Sequence, residues 1–410
     1  MKRYVIAGNG IAAARCIEGI RSRDPEGPIT VISQEDHDVY CRPLISYYLE
    51  GRTDREKMRY RDPDFYERTG CQVLFGKKAA ALDAKAHLLT LDDGSVIPYD
   101  ALCVATGSAP FVPPFEGLES VPDVFSFMTL DDALALESAL RPGSRVLIIG
   151  AGLIGLKCAE GILDRCAGVT VCDLAPRVLS SILDDECAAM MQKRLEENGI
   201  RFMLGDTAVR FDGTAALMKS GKTVTFDLLV LAVGVRANSA LVRDAGGNTN
   251  RGILTDTRMK TSLPDVWAAG DCCEGPDLLT GEHRVLAILP NASMQGYTAG
   301  VNMSGGDLSF DRAVPMNAIG FFGLHAMTAG VYDGELYEEK TPSSLKRLFI
   351  KDDRLRGFIL IGCDERAGIY TSLIREGTPL SSIDFERMKH GATTAAFGAR
   401  QRKEKFGGAV

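Results

Sequence analysis

Residues 5–20 read VIAGNGIAAARCIEGI and residues 147–162 read LIIGAGLIGLKCAEGI, one pattern written twice, 142 residues apart. Each copy is an apolar strand that ends in a glycine-rich turn and opens a helix, and each is followed by a second strand, ITVIS at 29–33 and VTVCD at 169–173. A bare glycine pattern is weak, but strand, turn, helix and second strand together make a Rossmann β-α-β opening. Gly8 and Gly150 allow the tight turn, Gly10 and Gly152 let the backbone approach a pyrophosphate, and Ala13 and Gly155 let helix pack on strand. The helix N-termini then present unpaired N–H groups and a favourable dipole to the phosphates. Two such units predict two bound dinucleotides and electron transfer between them.

The ends of the second strands carry the ribose contacts. Asp173 closes the second copy, where a carboxylate accepts hydrogen bonds from ribose hydroxyls and repels a 2′-phosphate, so this site is expected to prefer NAD over NADP. Arg177, four residues on, keeps a 2′-phosphate contact open. In the first copy Ser33 holds the position and Glu35, two residues later, is the candidate ribose ligand.

The chain has 410 residues, enough for two or three domains, with 45% hydrophobic and 25% charged residues, an ordinary globular composition. A net charge of −7 argues against general nucleic-acid binding. Basic clusters at residues 52–68, 346–356 and 400–405 read as solvated faces, with docking patches as the alternative. The apolar runs are short and glycine-broken, and Met1-Lys2-Arg3 leads straight into the first strand, so neither a membrane span nor a signal peptide is expected. None of the eleven cysteines forms CxxC or CxxxxC, and Cys16, Cys103, Cys158 and Cys172 sit in apolar strands or helices. They read as reduced core thiols, as do the adjacent Cys272 and Cys273, which points to a reducing cytoplasm. The five histidines are scattered without zinc-ligand spacing, and no structural metal is expected.

Further strands are expected near 72–75 and 87–91 and at ALCVATG (101–107), which is echoed by DLLVLAVG (227–234). Pro110, Pro113 and Pro114 mark a linker. DVWAAGDCCEG (265–275) gives a short strand ending in Gly270-Asp271, and residues 288–305 read as a helix. An aspartate at a parallel strand's C-terminal end suits a polyol chain and pyrophosphate; a simple helix N-cap is the plainer reading. From Asn317 glycine-punctuated strands take over, followed by DERAGIYTSLIREG as helix. The expected fold class is α/β, with two Rossmann-like domains plus a C-terminal α+β domain. Residues 1–112 and 240–316 would form the first, 113–239 the second, interrupting it, and 317–410 the C-terminal unit.

Together the two glycine turns, VATG at 104–107, WAAGD at 267–271 and LPNASMQGYTAGVNMSG resemble the FAD-dependent pyridine nucleotide-disulfide oxidoreductases. Within them YCRPLISYYLEG (40–51) is most similar to NADH:rubredoxin and ferredoxin reductases and the flavin domain of NADH nitrite reductases. The resemblance implies FAD on Gly8, Gly10, Ala13, Arg42, Pro43, Ala79, Thr106, Gly107, Gly270 and Asp271, and NAD(H) on Gly150, Gly152, Gly155, Asp173 and Gly234. Disulfide-reducing relatives carry a reactive cysteine where this chain has Pro43; Cys41 lies two residues upstream. The ferredoxin reductases pair a lysine of an RPxLSK motif with a glutamate on the NAD-domain helix, and here those positions are Tyr47 and Lys157. The double change moves the positive charge across the cleft, so Lys157 is expected near the flavin N5 and the nicotinamide, with Tyr47 beside it.

The resemblance implies hydride transfer from NADH to flavin and single electrons onward to rubredoxin, ferredoxin or another iron–sulfur protein. No stretch up to residue 410 reads as a sirohaem or iron–sulfur segment, so nitrite reduction is not expected of this chain. Other readings stay open. The chain could be the FAD- and NAD-handling subunit of a larger complex oxidising 2-oxoacids or aldehydes. Cys41 could serve an NADH oxidase, a peroxidase or a coenzyme A-disulfide reductase. Bound nucleotides could instead switch a non-enzymatic binding surface, and a homodimer through the C-terminal domain stays open.

Overall fold

A computed structural model describes residues 1–363 and 365–406, the last three as backbone only. From the N-terminus the chain forms β1 (Tyr4–Ala7), α1 (Ile11–Arg21), β2 (Ile29–Ile32), α2 (Ile45–Leu49), β3 (Cys71–Leu74) and β4 (Ala101–Val104). It crosses through β5 (Ser108–Pro110) to β6 (Val124–Phe125), β7 (Arg145–Ile149), α3 (Leu153–Ile162), β8 (Gly168–Asp173), α4 (Asp185–Glu197), β9 (Arg201–Leu204) and β10 (Leu228–Leu231). It returns through β11 (Val235–Ala237) to β12 (Val266–Ala268) and α5 (Leu289–Met303). A last unit contains β13 (Met316–Phe321), β14 (Leu324–Gly330), β15 (Glu335–Lys340), β16 (Leu345–Lys351), β17 (Arg354–Ile361) and α6 (Ala367–Glu376).

The two glycine turns head two parallel sheets of matching topology, β12-β4-β1-β2-β3 and β9-β8-β7-β10-β6. β1 and β4 are buried along their whole length, as is β7 after Arg145, because parallel strands are covered on both faces. The crossings β5 and β11 pair antiparallel, Pro110 opposite Val235, so the chain leaves and re-enters the first unit side by side. The C-terminal sheet is antiparallel, ordered β13-β14-β17-β16-β15, with α6 against it. Among the described residues no helix is long and apolar enough to cross a membrane.

α1 is built from small residues because α5 presses against it. A Cβ at Gly296 would lie 2.1 Å from the Ala12 carbonyl oxygen, and one at Gly300 would lie 2.1 Å from that of Cys16. A second shared core joins all three units. Ile45 and Leu49 of α2, Leu156 and Ile162 of α3, and Phe321, Leu345 and Ile361 of the C-terminal sheet belong to one buried cluster.

The basic cluster at 346–356 is a solvated face only in part, since Lys351 and Arg354 are exposed but Lys346 and Arg347 are not. Lys346 is almost fully buried between Glu339 and Glu365, and Arg347 is buried among Asp184, Glu186 and Glu338. Period-two alternation on an antiparallel sheet turned these cations onto carboxylates that are distant in sequence. In the 52–68 cluster Arg52 pairs with Glu50 and Lys57 with Asp54 close in sequence, while Arg61 reaches Glu18 on α1. The cluster at 400–405 reaches beyond the described side chains. A Gly296→Val substitution is expected to force α1 and α5 apart, costing about 1–3 kcal/mol; a lower thermal midpoint with reduced flavin content would be the readout.

Candidate dinucleotide sites

Gly8 has φ +121° and Gly150 φ +118°, a region open to glycine, and each faces a carbonyl of the neighbouring strand's end. A Cβ would sit 2.1 Å from the Ala105 oxygen in the first turn and 2.2 Å from the Ala232 oxygen in the second. Gly155 approaches the Gly150 carbonyl equally closely, and Ala13 in the equivalent place is fully buried. By contrast, a Cβ on Gly10 or Gly152 would meet nothing within 4 Å. The crowded glycines fold the turns and the open ones leave room for a ligand.

The helix ends point the same way. α1 and α3 start at Gly10 and Gly152 without a side-chain cap and without an acidic residue in the first turn. α5, reaching the Gly270-Asp271 turn, is likewise uncapped. Elsewhere capping is mixed: α4 is capped by Asp184 and the helix Leu130–Ala139 by a Thr129/Asp132 capping box, while α6 starts at Arg366 without a side-chain cap. Uncapped N–H groups behind an open glycine are an anion site.

Around the first turn, Glu35 accepts from the Tyr40 hydroxyl and pairs with Arg42, both at 2.6 Å, so the candidate ribose carboxylate is already oriented by two neighbours. Pro43 stands in the 3₁₀ turn Arg42–Leu44, and Ala79 begins the strand Ala79–Asp83. Thr106, expected as a flavin contact, is engaged within the chain through its hydroxyl and its carbonyl. Its hydroxyl donates to the Asn238 carbonyl at 2.9 Å while the Asn238 amide returns to the Thr106 carbonyl at 2.8 Å, clasping the two crossings. Gly107 follows at φ +64° and Gly234 at φ +118°. Gly270 is held through its N–H by Gln295 at 2.9 Å. Burial raises the Asp271 carboxyl above its usual range against the charge of Arg42, and its partner Ser108 is 3.4 Å away. Asn291, fully buried in the first turn of α5, keeps an Oδ1 without a hydrogen-bond partner. Open space at Gly10, an under-partnered Asp271 and an orphaned Asn291 together fit a flavin dinucleotide.

In the second turn Asp173 accepts from the Ala151 amide at 2.7 Å and the Ala175 amide at 2.8 Å. Arg177 pairs with Asp185 at 2.8 Å and donates to the Leu183 carbonyl, so its guanidinium is turned along its own loop. Lys157 and Tyr47 are neighbours, the ammonium 5.1 Å from the ring centroid. Lys157 is not solvated: its side chain is 19% exposed and donates to Glu160 at 2.5 Å and the Gly320 carbonyl at 2.6 Å, with the Phe321 ring 4.7 Å away. Glu160 also accepts from the Phe322 amide at 2.8 Å. Sequence reading missed Glu160, Asn238 and Asn291. The i,i+3 spacing in KCAE was the available signal for Glu160; Asn238 shows only once distant segments meet, and Asn291 only through its burial. Cys41 is half-buried, and burial pushes its thiol up.

The model of the pyridine nucleotide-disulphide oxidoreductases matches residues 2–296. The chain belongs to this family. Its fold is the family's α/β architecture of two Rossmann-like subdomains and a C-terminal unit. This oxidoreductase is 35% identical over 396 residues to the NADH-dependent phenylglyoxylate dehydrogenase subunit epsilon of Aromatoleum evansii, covering 93% of each chain. It is 30% identical over 373 residues to the assimilatory nitrate reductase electron transfer subunit of Bacillus subtilis strain 168, spanning 88% of this chain and 48% of that one. Among solved structures, the covalent putidaredoxin reductase–putidaredoxin complex matches with a TM-score of 0.84 and 25% identity, over 92% of this chain and 94% of that chain. The fold and these likenesses make the chain an FAD- and NAD(H)-type oxidoreductase of the electron-transfer kind.

Because burial disfavours the ionised Asp271, its charge costs the ligand-free protein stability at neutral pH, above the carboxylate's unfolded range, and the cost fades as pH falls through it. Asp271→Asn should therefore raise the thermal midpoint of the FAD-free protein while weakening FAD binding by about 10-fold, read by flavin fluorescence titration. Gly152→Val should remove NADH binding and leave bound flavin intact, whereas Gly10→Val should remove flavin; equal loss of both in either variant would overturn the division of sites.

Proposed function

We propose that this chain moves electrons between NADH and an iron–sulfur electron carrier, with FAD at the first glycine turn and NAD(H) at the second. The carrying observation is the pair of open, uncapped turns joined by one clasped ribbon. Bound FAD supplies hydride acceptance at N5 and release of single electrons. The residues of the chain supply binding and field. Gly8, Gly10, Ala13, Glu35, Arg42, Asp271 and the first turn of α5 hold the flavin dinucleotide. Gly150, Gly152, Gly155 and Asp173 hold NAD(H), with Asp173 disfavouring a 2′-phosphate. Lys157 is the cation that favours the reduced flavin, with Tyr47 packed against it.

A raised thiol at Cys41, with no cation lowering it, is the opposite of an activated nucleophile, which favours an electron-transfer route over a thiol route. A second reading has a specific observation behind it. The match over 93% of both chains to a named dehydrogenase subunit favours this chain as the NAD-handling subunit of a larger complex whose iron–sulfur centres lie on its partners.

Anaerobic stopped-flow mixing with NADH and NADPH, then with rubredoxin, ferredoxin, coenzyme A disulfide and oxygen, tests the proposal. Fast reduction by NADH and selective reoxidation by an iron–sulfur protein are expected. Reduction without any competent acceptor would favour the subunit reading, and reoxidation by coenzyme A disulfide that Cys41→Ser abolishes would favour the thiol route. Lys157→Met leaves Glu160 buried without its cation, so a redox titration should give a lower flavin potential and stopped flow a slower hydride transfer. Unchanged values would remove Lys157 from the flavin's field.

A further inference from the structure

One arginine carries the C-terminal sheet into the second nucleotide unit. Arg347 on β16 has a side chain 13% exposed. Its Nε donates to Glu338 at 2.7 Å, from the residue directly opposite on β15, so its own sheet fixes one side of the fork. The two terminal nitrogens leave the sheet for Asp184 and Glu186 at the start of α4. Lys340 pairs with Glu186, and the Tyr332 hydroxyl donates to the Ile182 carbonyl at 3.1 Å. Residues 182–186 are thus gripped from the C-terminal unit at three points. Burial opposes the Asp184 charge, but the Cys187 amide and Arg347 hold its carboxyl below the usual range.

The other end of this segment is the nucleotide turn. Leu179 stands at φ +51°, an uncommon conformation for a bulky residue, and its amide donates to the Ala151 carbonyl at 2.9 Å. The amides of Ile182 and Leu183 return to the Leu179 carbonyl, both at 3.0 Å. The Ala151 amide in turn donates to Asp173. The carbonyl of the residue between Gly150 and Gly152 is therefore bonded into the segment that Arg347 holds, and its N–H goes to Asp173, the last residue of β8, from which that segment starts.

We infer that Arg347 is a positioning residue for the nicotinamide dinucleotide, acting through Asp184, the 179–184 segment and Ala151. The inference rests on the reading that the second turn takes NAD(H). Without the guanidinium, Asp184, Glu186 and Glu338 face one another with only Lys340 between them, and like-charge repulsion pushes the segment off the sheet. The segment 174–184 has no helix or strand of its own, so its ties decide how it meets the Ala151 carbonyl.

The test compares FAD-loaded wild type with Arg347→Met, Arg347→Lys and Asp184→Asn. Asparagine caps a helix as well as aspartate does, so Asp184→Asn keeps the start of α4 and removes only the charge. Flavin content, thermal midpoint, the ADP-ribose Kd by calorimetry, and KM for NADH against kcat are measured on each. Arg347→Met should retain flavin, weaken ADP-ribose and raise the NADH KM by about 5- to 20-fold, with kcat at saturating NADH near wild type. Asp184→Asn should move the same quantities in the same direction, and Arg347→Lys should recover part of the loss. Wild-type ADP-ribose affinity in the flavin-loaded methionine variant would overturn the inference. So would loss of flavin in parallel with the dinucleotide in both charge variants, which marks a general folding role. If wild type itself bound neither ADP-ribose nor NADH, the NAD(H) reading would fail and this inference with it.

Discussion

Two backbone contacts, closer than any side chain permits, determine the nucleotide-handling parts of this chain. At Gly8 and again at Gly150 the turn after a strand passes against the carbonyl that ends the neighbouring strand, Ala105 in one unit and Ala232 in the other. That contact fixes where the next helix begins and aims its first N–H groups across the sheet's carboxyl edge. With glycine at the cap, leaving those helices without a side-chain cap forgoes only about a few tenths of a kcal/mol each relative to serine or aspartate. What sets these two ends apart from the other uncapped helices is the glycine at the cap, with no Cβ between the free N–H groups and open space.

Holding two such sites in a working relation is a separate problem, solved at three levels. The crossings β5 and β11 run as one ribbon, which limits how the second unit can swing. Thr106 and Asn238 exchange reciprocal hydrogen bonds at its base. A continuous apolar cluster then runs from α2 through α3 to the C-terminal sheet, so relative motion would expose core. Electrons passing between two bound groups need their separation held, and all three ties act on that distance.

What the sequence disclosed follows from what is local. The glycine turns, their strands and helices, and the apolar helix at 288–305 are each specified within some twenty residues, and there sequence and structure agree. Asp173 was legible as a carboxylate at a strand end, but not that two backbone amides already hold it. Thr106 sits where the family pattern leads one to expect a ligand contact, yet its hydroxyl is occupied by Asn238, 132 residues away. Lys346 and Arg347 read as surface charge because nothing near them in sequence announces Glu365 or Asp184. Local periodicity shows which way a side chain points and not what waits there.

The Lys157 site shows how such long-range pairing constrains substitution. On α3 the ammonium and Glu160 form a neutral i,i+3 pair, and the free carboxylate oxygen takes the Phe322 amide. The Gly320 carbonyl accepts from the same ammonium, so one lysine satisfies two acceptors from different units. A glutamate here would face Glu160 and the Gly320 carbonyl with no donor among the three. Burial makes that arrangement costly. The cation at 157 therefore depends on Glu160 and on the hairpin between β13 and β14, and its charge cannot be reversed alone without changing the surfaces that meet around it.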